Sequence, residues 1–250
     1  MIKRNTHSTR SLDRGSDRIY ASAMDMSRFA KARLDVGLVT DDLSMVDFVS
    51  DEVGLGQPEL LKISRSSTQY RFDRNGSVVK VNVADTLDTD ERSGFTELLL
   101  AASGISEAEQ LVGPDGVIFS MVPAGWLGID DMAIRLVVPD LERATAHFRD
   151  ALRWDVDGVV VRFGPTAVLL EERSDAPANV PASTRGWTYL TAQVWDCDAE
   201  TAAAVAGGAV VTREPHTYGD VARFSMVADA FGNHVELSQR ASLTGPLPPN

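Results

Sequence analysis

Single ionisable side chains interrupt otherwise apolar, alternating runs at several points: Asp35 in RLDVGLVT, Lys80 in SVVKVNVA, Glu97 in FTELLLAA and Glu236 in HVELSQ. A carboxylate in such a setting is costly unless it is paired or wet, and burial makes it a stronger base. A base of that kind takes a proton, while an ammonium or phenol beside it holds the oxygen on which enolate charge develops. Asp35 or Glu97 would then be the base with Lys80 as electrophile, and Lys80 would also pair Asp35. In the second half Glu236 would be the base, with Tyr189 or Arg135 stabilising the oxyanion. The simpler readings are that Lys80 snorkels from a strand edge and that His234 is a strand residue whose partner is solvent or a neighbouring loop. His147, on an amphipathic helix, and His216, in EPHTYGD, read as packing or surface residues.

The elements that must carry these groups follow one recurring theme: a period-two strand, an acidic turn, an amphipathic helix and further strands. RLDVGLVTDDLSMVDFVSDEVGLG opens the first copy, and TQYRFDRNG and SVVKVNVA close it as a hairpin over an Asn-Gly turn. MAIRLVVPDLERATAHFRDALRWD opens another, with Pro139-Asp140 as its turn and Leu141, Ala144, Phe148 and Leu152 as its apolar stripe. GFTELLLAASG with GVIFSMVP, and WTYLTAQVWDCDAETAAAVAGGAVV with ARFSMVADAFGNHVELSQ, read as two further units, giving four βαβββ-like modules. Residues 122–128, VPAGWLG, form the natural boundary. The expected division is a tail over 1–30, domains over 31–123 and 124–240, and a tail over 241–250. Strand alternation then sorts the faces. Leu34, Val36 and Leu38 pack and leave Asp35 toward a cleft, and Val79, Val81 and Val83 leave Lys80 and Asn82. Leu98 and Leu100 leave Glu97, with Ser120 on a neighbouring strand. Met132, Ile134 and Leu136 leave Arg135, Leu190 and Ala192 leave Tyr189, Thr191 and Gln193, and His234 shares a face with Glu236. The expectation is one cluster per half of the chain.

PDLERATAHFRDALRW resembles the first helix, and DAFGNHVELSQ the final strand with its terminal Glu, of the vicinal oxygen chelate proteins. That superfamily includes glyoxalase I, bleomycin-resistance proteins, methylmalonyl-CoA epimerase and extradiol dioxygenases. The resemblance spans residues 33–240. It implies an α+β fold of four βαβββ-like modules paired into two tandem glyoxalase-like domains, whose curved mixed sheets enclose clefts. It also implies isomerase, epimerase or lyase chemistry, ligand sequestration, or metal-dependent glyoxalase or dioxygenase chemistry. The family's metal ligands are His and carboxylate groups. At the matching positions this chain has Asp35 and Ala133 on first strands, Glu97 and Tyr189 on later ones, Ser120 where one terminal Glu would stand, and Glu236 at the other. Transition metals favour imidazole nitrogen in such sites. The expectation is therefore proton transfer without a cofactor, a divalent metal at Glu236 being the main alternative. Sequestration is the other alternative, with Tyr70, Phe119, Trp187 and Trp195 as aromatic walls.

Composition narrows the partners. A net charge of −12 repels nucleic acid, and no apolar run of about eighteen residues is present to span a bilayer. The single cysteine, Cys197, has no internal partner for a disulfide. A cytoplasmic protein acting on a small, partly apolar molecule is expected, and the resemblance allows a homodimer.

Overall fold

The computed structural model describes residues 24–250 except 88 and 182. Most of the expected N-terminal tail therefore lies outside the described residues. The first module comprises β1 (Phe29–Thr40), helix α1 (Ser44–Asp47) running into a π turn (Phe48–Glu52), β2 (Glu59–Lys62), β3 (Ser67–Arg74) and β4 (Ser77–Ala84). The second has three strands, β5 (Phe95–Ala102), β6 (Glu109–Val112) and β7 (Ile118–Pro123), with a turn where the other modules have a helix. The third comprises β8 (Met132–Val138), α2 (Leu141–Ala146) with its π turn (His147–Ala151), β9 (Asp155–Asp157), β10 (Val160–Phe163) and β11 (Thr166–Glu172). The fourth comprises β12 (Gly186–Val194), α3 (Cys197–Ala206), β13 (Val210–Tyr218), β14 (Ala222–Ala228) and β15 (His234–Arg240), followed by α4 (Ala241–Thr244).

Local chemistry accounts for these boundaries. The acidic turns before α2 and α3 are helix N-caps: Asp140 Oδ1 accepts from the Arg143 N–H at 2.9 Å, and Asp196 Oδ1 from the Ala199 N–H at 3.0 Å. Asn75 (φ 51°) and Gly76 (φ 89°) supply the two left-handed residues of a tight hairpin. That turn pairs Arg74 with Ser77, and so sets Arg71 opposite Lys80 and Gln69 opposite Asn82.

The modules pair across the midpoint of the chain. One sheet has the order β13-β14-β15-β12-β1-β4-β3-β2 and joins the first module to the fourth through antiparallel β1 and β12. The other, β6-β7-β5-β8-β11-β10-β9, joins the second to the third through antiparallel β5 and β8. Each sheet thus draws strands from both sides of the boundary expected between residues 123 and 124. The two sheets share one core, in which Leu34, Val36 and Leu38 are fully buried with Leu98, Leu100, Phe119, Ile134 and Leu136. Phe119 and Trp187 meet there at 4.9 Å between ring centres. The strand faces turned away from this core are the candidate clefts. Beyond β15, the Asn250 side chain accepts from the Thr217 N–H and donates to the Thr217 carbonyl, so the last residues run along β13. Among the described residues no helix is long and apolar enough to cross a membrane.

Two buried histidines make stability pH-dependent. Burial holds the His147 imidazole below its ordinary value of 6.5, although Asp229 opposes this, and its Nε2 has no hydrogen-bond partner among the described residues. Burial does the same to His234, against the Val180 carbonyl and Asp229. In the unfolded chain both titrate near pH 6.5, so on acidification the unfolded state takes up protons that the folded state refuses. Stability is complete above that value and falls as pH drops toward the depressed folded values, by about 1.4 kcal/mol for each tenfold preference for the unfolded state. Melting temperature is expected to fall between about pH 7.5 and pH 5.5, and His147→Gln or His234→Gln should flatten the slope. A slope unchanged in both variants would refute the assignment.

Candidate functional site

The eight-stranded sheet curls around a cavity of about 620 Å³. Its two edges meet: the Tyr218 hydroxyl at the end of β13 lies 3.1 Å from the Lys62 carbonyl and 2.6 Å from that of Ile63, just past β2. A phenol has one proton, so it is shared between these two acceptors. Opening the cavity means breaking this clasp.

On the floor stands Lys80, with 2 % of its surface exposed. Its Nζ donates to Thr191 Oγ1 at 2.7 Å and to Glu236 Oε1 at 2.9 Å, and Thr191 Oγ1 is 3.2 Å from the same carboxylate oxygen. Lys80 is on β4 and Glu236 on β15, with β1 and β12 between them. Gly37 on β1 aligns with Lys80 on one side and Tyr189 on the other, and a Cβ there would sit 2.2 Å from the Tyr189 ring. The missing side chain lets the Tyr189 ring lie across β1, with Lys80 Nζ 5.4 Å from its centre. Gly37→Ala is expected to expel the ring at a cost of about 1–3 kcal/mol, read as a fall in melting temperature and a changed tyrosine near-ultraviolet spectrum. An unaltered spectrum would contradict this packing.

A chain of amides fixes the phenol. Arg71 Nη1 donates to Gln69 Oε1 at 2.7 Å, Gln69 Nε2 to Asn82 Oδ1 at 2.8 Å, and Asn82 Nδ2 to the Tyr189 oxygen at 3.1 Å and the Leu38 carbonyl at 2.9 Å. Burial, reinforced by the Glu236 charge, pushes the Tyr189 phenol far above its usual range, so it keeps its proton. Its oxygen already accepts from Asn82, which leaves the O–H as a donor. Glu236 Oε1 is held by Lys80 and Thr191, whereas Oε2 makes no bond among the described residues. The cavity therefore presents one carboxylate oxygen, one phenol proton and one ammonium.

The remaining candidates fall elsewhere, and the expected grouping by halves needs correction. Lys80 does not pair Asp35. Asp35 is fully buried and accepts from Lys31 Nζ, from the Val78 N–H at 2.8 Å and from Gln193 Nε2 at 3.0 Å. Its effect on the cavity is to hold Gln193, which lines it. Glu97, Ser120 and Arg135 meet on the seven-stranded sheet: Glu97 accepts from the Ser120 hydroxyl and from Arg135 Nε at 2.9 Å. Burial raises the Glu97 carboxyl, but Ser120, Arg135 and Gln110 outweigh it and hold the group below the usual carboxylate value. Next to this trio the same face is filled by Leu99, Ala101, Val122, Ile129, Ala133 and Leu169, with Trp126 packed on them. His234 is deeply buried, its ring nitrogens 3.2 Å from Thr212 Oγ1 and 3.1 Å from the Val180 carbonyl. The expected aromatic walls do not line the cavity: Phe119 and Trp187 lie in the shared core, Tyr70 packs against it, and Trp195 is exposed. Arg71, Gln69 and Arg240 had no part in the sequence expectation, and Gly37 was expected only to face the cleft.

A divalent ion at Glu236 would meet an ammonium, two hydroxyls and a carboxamide. Among the described residues no group of three or more His, Cys, Asp or Glu side chains could hold a metal. Lys80 Nζ already stands against the one carboxylate, so this donor set does not suit a divalent transition metal.

Residues 128–237 match the Glyoxalase/Bleomycin resistance protein/Dioxygenase superfamily model. No curated protein matches the sequence. Among solved structures, the V278E mutant of glyoxalase I from Zea mays is similar with a TM-score of 0.62 and 14% identity, covering 83% of this chain and 92% of that one. A putative dioxygenase from Bacillus subtilis is similar with a TM-score of 0.59 and 9% identity, covering 82% and 84%. At these identities the likeness is one of fold.

Proposed function

We propose, on the premise that this chain is a two-domain vicinal oxygen chelate protein, that it is an isomerase, epimerase or lyase moving a proton next to a carbonyl group. The observation that carries the proposal is the Lys80 ammonium, 2.9 Å from Glu236 Oε1 on the floor of the cavity. The free oxygen of Glu236 takes the proton as the C–H bond breaks. The electron pair moves onto the carbonyl oxygen, where Lys80 and the Tyr189 hydroxyl donate to the growing charge. Return of the proton to the same carbon on its other face gives an epimer; where that carbon carries a hydroxyl, passage of the hydroxyl proton to the former carbonyl oxygen and return of the carbon-bound proton to the former carbonyl carbon give an isomer with the carbonyl moved by one position. Expulsion of a β-leaving group gives a lyase reaction. Thr191 keeps Glu236 Oε1 in place, and the amide chain from Arg71 keeps the phenol aimed, so no group must reorganise during the step.

Solvent-deuterium incorporation into small carbonyl compounds tests the proposal. Appearance of deuterium beside the carbonyl, followed by nuclear magnetic resonance, is the expected result. Tight binding of a compound recovered with all its protons would favour sequestration instead.

A further inference from the structure

The charge balance of the cavity is opposite to that of the chain. The molecule carries −12 overall, yet the cavity is lined by Arg71, Lys80, Arg213 and Arg240 against the single carboxylate of Glu236. Lys80 satisfies Glu236, which leaves three guanidinium groups without a carboxylate inside. Arg71 is 8 % exposed, directly opposite Lys80 on the neighbouring strand, a like-charge pairing that destabilises a sheet. Its Nε makes no hydrogen bond among the described residues, and its ion pair, at 3.6 Å, is with Glu59, whose side chain is largely exposed. Arg240 is half-buried and has no hydrogen bond or ion pair from its guanidinium among the described residues. Burial and then the Arg71 charge depress its basicity, so the two groups press on each other. Arg213 stacks on Phe224 at 4.7 Å. Arg213 is exposed, but Arg71 and Arg240 are two neighbouring like charges with only the exposed Glu59 paired to one of them among the described residues, and such groups are retained at a stability cost unless something else compensates them.

We infer that the cavity is built for an anionic small molecule whose carboxylate or phosphate group is held by Arg71 and Arg240 and whose apolar body lies against Phe224, Met226 and Leu61. This deepens, and rests on, the proton-transfer reading: the anion fixes the substrate at one end while Glu236, Lys80 and Tyr189 act at the other. Two guanidinium forks suit planar or tetrahedral oxyanions, since each can give two parallel hydrogen bonds.

Calorimetric titration with 3-phenylpropanoate, 2-phenylethyl phosphate and the uncharged 3-phenylpropanamide tests the inference. The two anions are expected to bind and the amide to bind at least tenfold more weakly, the preferred anion showing whether the head group is carboxylate or phosphate. Arg71→Met and Arg240→Met should each lose roughly ten- to a hundredfold in anion affinity. Arg240→Met should also melt no lower than the wild type, because it removes no ion pair, and so separates a lost ligand contact from a lost fold. Equal binding of acid and amide, unaltered affinity in both variants, or no anion binding at all would overturn it. Anions that bind normally to Glu236→Gln, with no deuterium exchange in any form of the protein, would uphold anion recognition and reject the proton-transfer reading.

Discussion

Glu236→Gln is expected to lower solvent-deuterium exchange about 10²- to 10⁴-fold, the usual contribution of a positioned general base. The amide oxygen still accepts from Lys80 and Thr191, so the side chain keeps its place and presents a nitrogen where Oε2 stood. That nitrogen is a donor and cannot take a proton from carbon. Anion affinity should persist, because the groups assigned to the anion lie on β3 and at the end of β15. Exchange at the wild-type rate would remove Glu236 from the chemistry and leave the cavity without a base, since the Asp35 and Glu97 carboxylates are each engaged away from it.

The second large effect concerns stability. Lys80→Met is expected to cost about 3–5 kcal/mol, because it removes one partner of a pair whose side chains are 3% and 16% exposed and strands the other. For a chain of this length that corresponds to a fall in melting temperature of roughly 10 °C. The double variant Lys80→Met/Glu236→Gln should recover much of the loss, since no uncompensated charge then remains, and a double-mutant cycle reads the coupling directly. Additive losses would show that the two groups do not act on each other.

Much of the site was legible residue by residue. Alternation put Lys80, Asn82, Tyr189, Thr191, Gln193 and Glu236 on cleft-facing sides, and each lines or touches the cavity. Alternation tells which face a side chain takes, but not which strands share a sheet. Chain proximity suggested that Lys80 belongs with Glu97 and Ser120. The backs of the four modules instead bury best with the first beside the fourth and the second beside the third, which sends Lys80 to Glu236. Arg71 was within reach of the same logic, because a two-residue Asn75-Gly76 turn sets residue 71 opposite residue 80 by simple counting. Alternation also turned Gly37 toward the cleft, but gave it no role. Its importance appears only once Tyr189 is known to be its cross-strand neighbour. Asp35 was correctly read as a buried carboxylate in need of a partner, but Lys31, Val78 and Gln193 supply what Lys80 was expected to.

Deuterium exchange measured on one preparation before and after exhaustive chelation, with its metal content determined, tests most directly whether an ammonium and a carboxylate perform the proton transfer. The expected result is the same rate in both samples and its loss in Glu236→Gln. Exchange that disappears on chelation and returns with a stoichiometric divalent ion would contradict the role assigned to Lys80.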